Sequence, residues 1–60
     1  MKVGDTIRRK DRPDTVVRIT GINKIYEGYW NVMIIKCPEI EKVKRGLVDM
    51  NDDRWEVIKS

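Results

Sequence analysis

The sequence predicts an all-β domain of five short strands, and its composition is the first reason. Valine and isoleucine together number 15 of the 60 residues, and three threonines bring the β-branched total to 18. These side chains lose rotamer freedom in helices but pack well on pleated strands. The chain has no alanine and a single leucine, which argues against a helical bundle. Its length leaves room for one domain, residues 1–60, with a small core.

Two strands are predicted in the first third of the chain. Thr6–Lys10 is the first, and the Asp- and Pro-containing segment Asp11–Asp14 indicates a loop, because proline cannot donate to a ladder and aspartate caps turn amides. Thr15–Ile22 is the second strand. Its alternation places Val17 and Ile19 towards the core.

The third strand, Tyr29–Lys36, has the clearest pattern. In the second strand, Gly21 predicts a bulge or sharp bend near the end of that strand. Both faces of the third strand are largely apolar, so it is either covered on both sides or carries an exposed apolar stripe. The two faces are Trp30, Val32 and Ile34 on one side, and Tyr29, Asn31, Met33 and Ile35 on the other.

The segment Cys37–Gly46 allows two interpretations. It fits a hairpin with its tip near Pro38, and it also fits a short helix that starts at the proline and stops at the glycine. In either case Gly46–Met50 is predicted to be a strand. A tight turn or one 3₁₀ turn follows at Asn51–Arg54. The last strand is Trp55–Ile58, with Trp55 and Val57 predicted to face inward.

Five short strands hide their edges most simply by closing into a small barrel. The order of a first strand, a charged loop, a three-stranded meander, a one-turn connector and a short last strand resembles the SH3-like barrels, including Tudor-like and KOW-like domains. The resemblance implies a five-stranded SH3-like barrel over nearly the whole chain. An OB-like barrel is the alternative, although it usually needs more residues.

A narrower resemblance lies at the two ends of the chain. The segment Val3–Lys10 is similar to the start of the plasmid-borne type II dihydrofolate reductases, and Leu47–Ile58 aligns with their tail without a gap. Those enzymes are SH3-like barrels that form tetramers around a pore that binds folate and NADPH. The pore strand of that family reads Val-Gln-Ile-Tyr, whereas here the four positions are Leu47, Val48, Asp49 and Met50. The resemblance supports the barrel and argues against the enzyme.

Several kinds of chemistry are disfavoured by what the chain lacks. It has no histidine, the commonest general base and metal ligand, and its one cysteine, Cys37, cannot form an internal disulfide. We therefore expect no catalytic residues, no metal and no cofactor. The carboxylates of Asp49, Asp52 and Asp53 suit magnesium or acid-base work, but they are also typical turn residues. The lone thiol favours a cytoplasmic location, and no apolar run approaches a membrane span.

Basic residues form two groups. Thirteen lysines and arginines against ten acidic residues give a net charge of +3. Cations along one face attract phosphates, and nearby aromatic rings such as Tyr26 can stack on unpaired bases. Interspersed carboxylates dilute both groups, so an ordinary solvated surface is the alternative. The candidate nucleic-acid-binding residues are Arg8, Arg9, Lys10, Arg12 and Arg18 in one group, and Lys42, Lys44 and Arg45 in the other.

The chain also has more apolar side chains than a barrel this small can bury. An exposed apolar stripe indicates a protein partner or a homo-oligomer, unless Ile25 or Ile40 covers it. The candidate interface residues are Tyr29, Trp30, Met33 and Ile35. Together these features predict a non-enzymatic binding module that contacts nucleic acid or its associated proteins, of the kind that phages and mobile elements encode. The alternative is a protein adaptor or inhibitor.

Overall fold

The computed structural model describes residues 1–37 and 45–59, and this part of the chain is all-β. Five antiparallel strands form one sheet in the order β4-β3-β2-β1-β5, and no helix occurs among the described residues. The predicted all-β class is confirmed. The edge strands β4 and β5 do not pair, so the sheet is not closed into a barrel. The strands are β1 Thr6–Arg9, β2 Val16–Ile22, β3 Tyr29–Lys36, β4 Arg45–Asp49 and β5 Trp55–Lys59.

One face of the sheet, here called the core face, carries the buried side chains. The β-branched residues that form it come from four strands, as the composition predicts. Trp30, Ile34 and Trp55 are partly buried and pack against this cluster. The cluster consists of Ile7, Val17, Ile19, Val32 and Val48.

The strand register defines the opposite face, here called the outer face. Residues directly opposite one another in an antiparallel pair share a face. Ile19 lies opposite Val32 on the core face, whereas Arg18 lies opposite Met33 on the outer face. The register shifts between Ile19 and Gly21, which confirms the predicted irregularity at that glycine.

Turns between the strands use the predicted residue types. Gly28 begins β3 from a positive φ of 82°, which glycine adopts without steric cost. Its carbonyl accepts a hydrogen bond from Met50 N at 2.8 Å, which joins this turn to the end of β4. The segment 51–54 is a turn and not a 3₁₀ helix.

Two further sequence predictions concern Val57 on β5 and the connection between β3 and β4. Val57 shares a face with Ile7, as an inward residue should, but it is 45% exposed because β5 is an edge strand. The choice between hairpin and helix for residues 38–44, including Ile40, lies outside the described residues. The described part of the chain also contains no helix with the length and apolar character needed to cross a bilayer.

Candidate functional site

The outer face carries a row of three side chains across β2, β3 and β4. Arg18 pairs with Met33, and Met33 pairs with Arg45, so the methionine lies between two guanidinium groups. The two arginines are two strands apart, about 10 Å in backbone spacing. Both are exposed, and neither forms an ion pair with another residue of 1–37 or 45–59. The sheet thus joins members of two basic groups that are 27 positions apart in the sequence.

Further cations border this row on the outer face. Arg8 is a diagonal neighbour of Arg18 across β1 and β2, since Thr6 lies opposite Arg18 and Arg8 opposite Val16. Arg8 is neutralised by Glu56, whose Oε1 accepts a 3.0 Å hydrogen bond from Arg8 Nε. Lys36 lies in the same row as Val16 and only approaches Asp14, at 4.0 Å.

Of the other residues in the first predicted basic group, Arg9 is not on this face. Arg9 lies opposite Trp55 on the core side, with its guanidinium 6.0 Å from the ring centroid and its Nε 2.7 Å from Asp11 Oδ1. Lys10 follows β1 and is exposed. Arg12 is exposed in the loop and has an interaction of its own. The second group is described only at Arg45, because Lys42 and Lys44 lie outside the described residues.

The predicted apolar interface is divided between the two faces. Tyr29 and Met33 lie on the outer face and are 37% and 45% exposed. Ile35 is the extra residue of a bulge in β3, because Val16 and Val17 lie opposite residues 36 and 34. Trp30 packs on the core side, so it does not share a surface with Met33. Ile25, considered as a cover, is itself 82% exposed.

A surface depression of about 570 Å³ lies beside the arginine row. Its floor is the backbone where Val32 pairs with Gly46, and its walls are outer-face side chains. The walls combine apolar, polar and cationic groups from three strands. They are Thr20, Asn31, Met33, Arg45 and Leu47.

A chain of hydrogen bonds fixes the direction of the Asn31 amide in this depression. Asn23 Oδ1 accepts from the backbone N–H groups of Ile25 and Tyr26 at 2.8 and 2.7 Å, so this atom must be the oxygen. The other end of the Asn23 amide is therefore the donor, and Nδ2 donates to Asn31 Oδ1 at 2.9 Å. Asn31 Nδ2 is left over, and it donates to no other residue in the described part of the chain.

The acidic side chains near the turns accept hydrogen bonds from arginines and from backbone N–H groups. Hydrogen bonds from the Arg54 side chain and backbone hold the pKa of Asp52 far below its ordinary value. A hydrogen bond from Arg9 likewise lowers the pKa of Asp11. Asp49 Oδ1 accepts from Asn51 N at 2.9 Å, as expected for a turn residue. In the described ranges no group of three or more potential ligand side chains is placed to hold a metal ion.

Comparison with known proteins gives no assignment: no family model, curated protein or solved structure matches this chain.

Sequence reasoning missed three residues that line the depression. Thr20, Asn31 and Leu47 are uncharged and lie on separate strands, so no local spacing connects them. The available signal was Gly21 beside an alternating strand, since a bulge often re-aims neighbouring side chains. Thr20 is the extra residue of that bulge, and its Oγ1 donates to Asn31 O at 3.2 Å.

Proposed function

We propose that this protein is a non-enzymatic binding module that contacts nucleic acid through its outer face. The observation that carries the proposal is the row Arg18–Met33–Arg45, in which two exposed guanidinium groups lie on one face with no carboxylate paired to them in the described residues. Guanidinium groups bind phosphate oxygens through two parallel hydrogen bonds.

Charge on the surrounding sheet favours the same ligand. Lys36 and Lys59 also lie on or beside the outer face. Glu56 is already paired with Arg8, and Asp49 sets one carboxylate against these two lysines. A phosphate chain that crosses β2, β3 and β4 would release its counterions as it meets the arginines. Binding should therefore weaken as the salt concentration rises.

We also propose that the fold is of the SH3-like barrel type, with the sheet open between β4 and β5. The meander β1 to β4 and the return of β5 beside β1 support this assignment. The non-enzymatic part of the proposal is supported by Val48 and Met50, which stand where type II dihydrofolate reductases have the Gln and Tyr that carry binding, and by Asp49 in place of their Ile. The single free cysteine, Cys37, suits a reducing cytoplasm.

Anisotropy titrations of labelled single-stranded DNA, RNA and duplex DNA at about 50 and about 200 mM salt test the proposal. The variants are Arg45→Gln, on the outer face, and Lys24→Gln, an exposed loop residue that makes the same change in charge. We expect Arg45→Gln to weaken binding and to reduce the slope of log K against log salt by about 1. Lys24→Gln should bind as the wild type does.

Two results would contradict this proposal. One is the absence of measurable binding at the lower salt concentration with every strand. The other is an equal loss of affinity in Lys24→Gln and Arg45→Gln, which would mean that only the net charge matters and that the outer face is not the site.

A second candidate function is self-association or docking of a protein on the same face. It is favoured by the outer-face residues Met33 and Tyr29, which are 45% and 37% exposed. Sedimentation of the wild type, Met33→Asp and the loop control Ile25→Asp separates this function from the first. If only Met33→Asp converts a dimer to a monomer, the face is an apolar interface. A monomeric wild type argues against self-association.

A further inference from the structure

The depression on the outer face has a hydrogen-bond donor in a fixed orientation. Asn23 holds Asn31 Oδ1, so the amide offers its Nδ2 hydrogens to whatever enters. A Cβ at Gly21 would lie 4.0 Å from Asn31 Nδ2, so the glycine opposite leaves the space beside the donor open. A ligand here is expected to present an acceptor.

The other walls define the remaining chemistry. Met33 and Leu47 give apolar contact on two sides, and each is about half exposed. Arg45 lies on the wall and Arg18 lies on the far side of Met33. A volume of about 570 Å³ is within the range of small-molecule sites. The walls therefore suit a small, partly apolar group that carries a hydrogen-bond acceptor and has anionic groups next to it.

We propose that this depression takes one unpaired base of the thymine or uracil type from a single-stranded nucleic acid. Asn31 Nδ2 donates to a carbonyl oxygen of the base, Met33 and Leu47 contact its faces, and Arg18 and Arg45 bind the flanking phosphates. This inference rests on the proposed function and adds to it a strand type and a base preference.

Charge complementarity and the amide direction together select this occupant. An acidic peptide would satisfy the arginines, but its carboxylates would leave Met33 and Leu47 without an apolar contact. Adenine is disfavoured, because it has no carbonyl oxygen to accept from Asn31 Nδ2, whereas thymine and uracil each have two. A base within a duplex cannot enter, since its faces are stacked.

The test compares wild-type binding to four probes at one salt concentration. They are oligothymidine, oligoadenosine, an abasic strand of the same length, and a duplex. The thymidine and abasic strands have the same phosphates, so their ratio of dissociation constants isolates the base. We expect oligothymidine to bind about tenfold more tightly than the abasic strand. It should also bind more tightly than oligoadenosine and the duplex.

A pair of matched variants locates the contact. Asn31→Asp keeps an oxygen for Asn23 Nδ2 but removes the donor, whereas Asn51→Asp makes the same chemical change in the exposed turn after β4. The thymidine-to-abasic ratio should fall towards one in Asn31→Asp and stay at the wild-type value in Asn51→Asp. Circular dichroism reports whether each variant folds. If a variant does not fold, the binding of the wild type to the four probes still tests the base site.

The outcomes separate this inference from the proposed function. Equal, salt-dependent binding of thymidine and abasic strands would overturn the base site and leave the phosphate-binding face intact. Equal binding of duplex and oligothymidine would also overturn the base site and leave the phosphate-binding face intact. An acidic peptide that displaces oligothymidine while the base ratio is one would point to a protein ligand. No binding by any strand would instead remove the proposed function itself.

Discussion

Arg8 and Glu56 lie opposite each other on β1 and β5, and Glu56 Oε1 accepts hydrogen bonds from both Nε and Nη2 of the arginine, at 3.0 and 2.5 Å. The pair links the edge strand β5 to its neighbour β1 on the outer face. It also withdraws one cation from that face, because the charge of Arg8 is balanced by its partner.

Breaking this pair is expected to affect binding more than stability. The two side chains are 41% and 38% exposed, and ion pairs at such positions contribute less than about 1 kcal/mol. Glu56→Gln should therefore change the free energy of unfolding only slightly while strengthening binding of single-stranded DNA at low salt. Glu27→Gln, an exposed loop variant with the same charge change, is the control. Equal strengthening in both variants would show that Arg8 is not part of the binding face.

The small core should be sensitive to single methylene groups. Ile7 is fully buried, so Ile7→Val is expected to lower the free energy of unfolding by about 1 kcal/mol. Ile25→Val deletes the same group from a side chain that is 82% exposed and should have almost no effect. Urea denaturation of the two variants measures the difference. Equal midpoints would mean that the Ile7 cluster does not hold the sheet together.

Two glycines should respond oppositely to alanine. Gly28 has a φ of 82°, where a Cβ costs about 1–2 kcal/mol, so Gly28→Ala should destabilise the fold. Gly46 has no positive φ, and its added Cβ would meet Val32 Cγ2 at an ordinary 3.8 Å. Gly46→Ala should be neutral, or stabilising by up to about 1 kcal/mol, through the unfolded chain. Thermal unfolding distinguishes the two variants, and the reverse order would refute the described backbone at Gly28.

The lowered pKa of Asp52 predicts an acid-dependent loss of stability. A carboxyl whose pKa is lower in the folded state stabilises the fold above its unfolded pKa, near 3.8. That stabilisation is lost as the pH falls below about 4 towards the folded pKa. Asp52→Asn should lower stability at neutral pH and flatten the dependence below about 4, with Asp53→Asn as control. A wild-type profile that is unchanged by Asp52→Asn would contradict this role.

Local sequence signals predicted the strands well, because those signals act over a few residues. Tyr29–Lys36 is β3 with the predicted bounds. The strands β1, β2 and β5 differ from their predictions by one residue at one end, and β4 by one residue at each end. Alternation also placed Val17 and Ile19 in the core. Val57 was less well predicted, since alternation gives a face but does not say that β5 is an edge.

The outer face, which we propose as the binding surface, could be predicted only in part. The sequence supplied the cations and the exposed methionine, but it grouped Arg18 with Arg9, which the structure places on the opposite face over Trp55. The neighbours of a residue across a sheet depend on register, and register here includes bulges that no local pattern positions to the residue. Asn31 became a candidate only when its hydrogen bond to Asn23 was known.

By itself the sequence determined the all-β class, the approximate limits of the strands and the inward direction of Val17 and Ile19, because β-branched composition and alternation are local properties of the chain. The tertiary structure alone decided that Arg18 and Arg45 lie on either side of Met33, and that the amide oxygen of Asn31, on the same face, is held by Asn23. Both depend on strand pairing between distant segments, and the free energy of that pairing is distributed over the whole sheet.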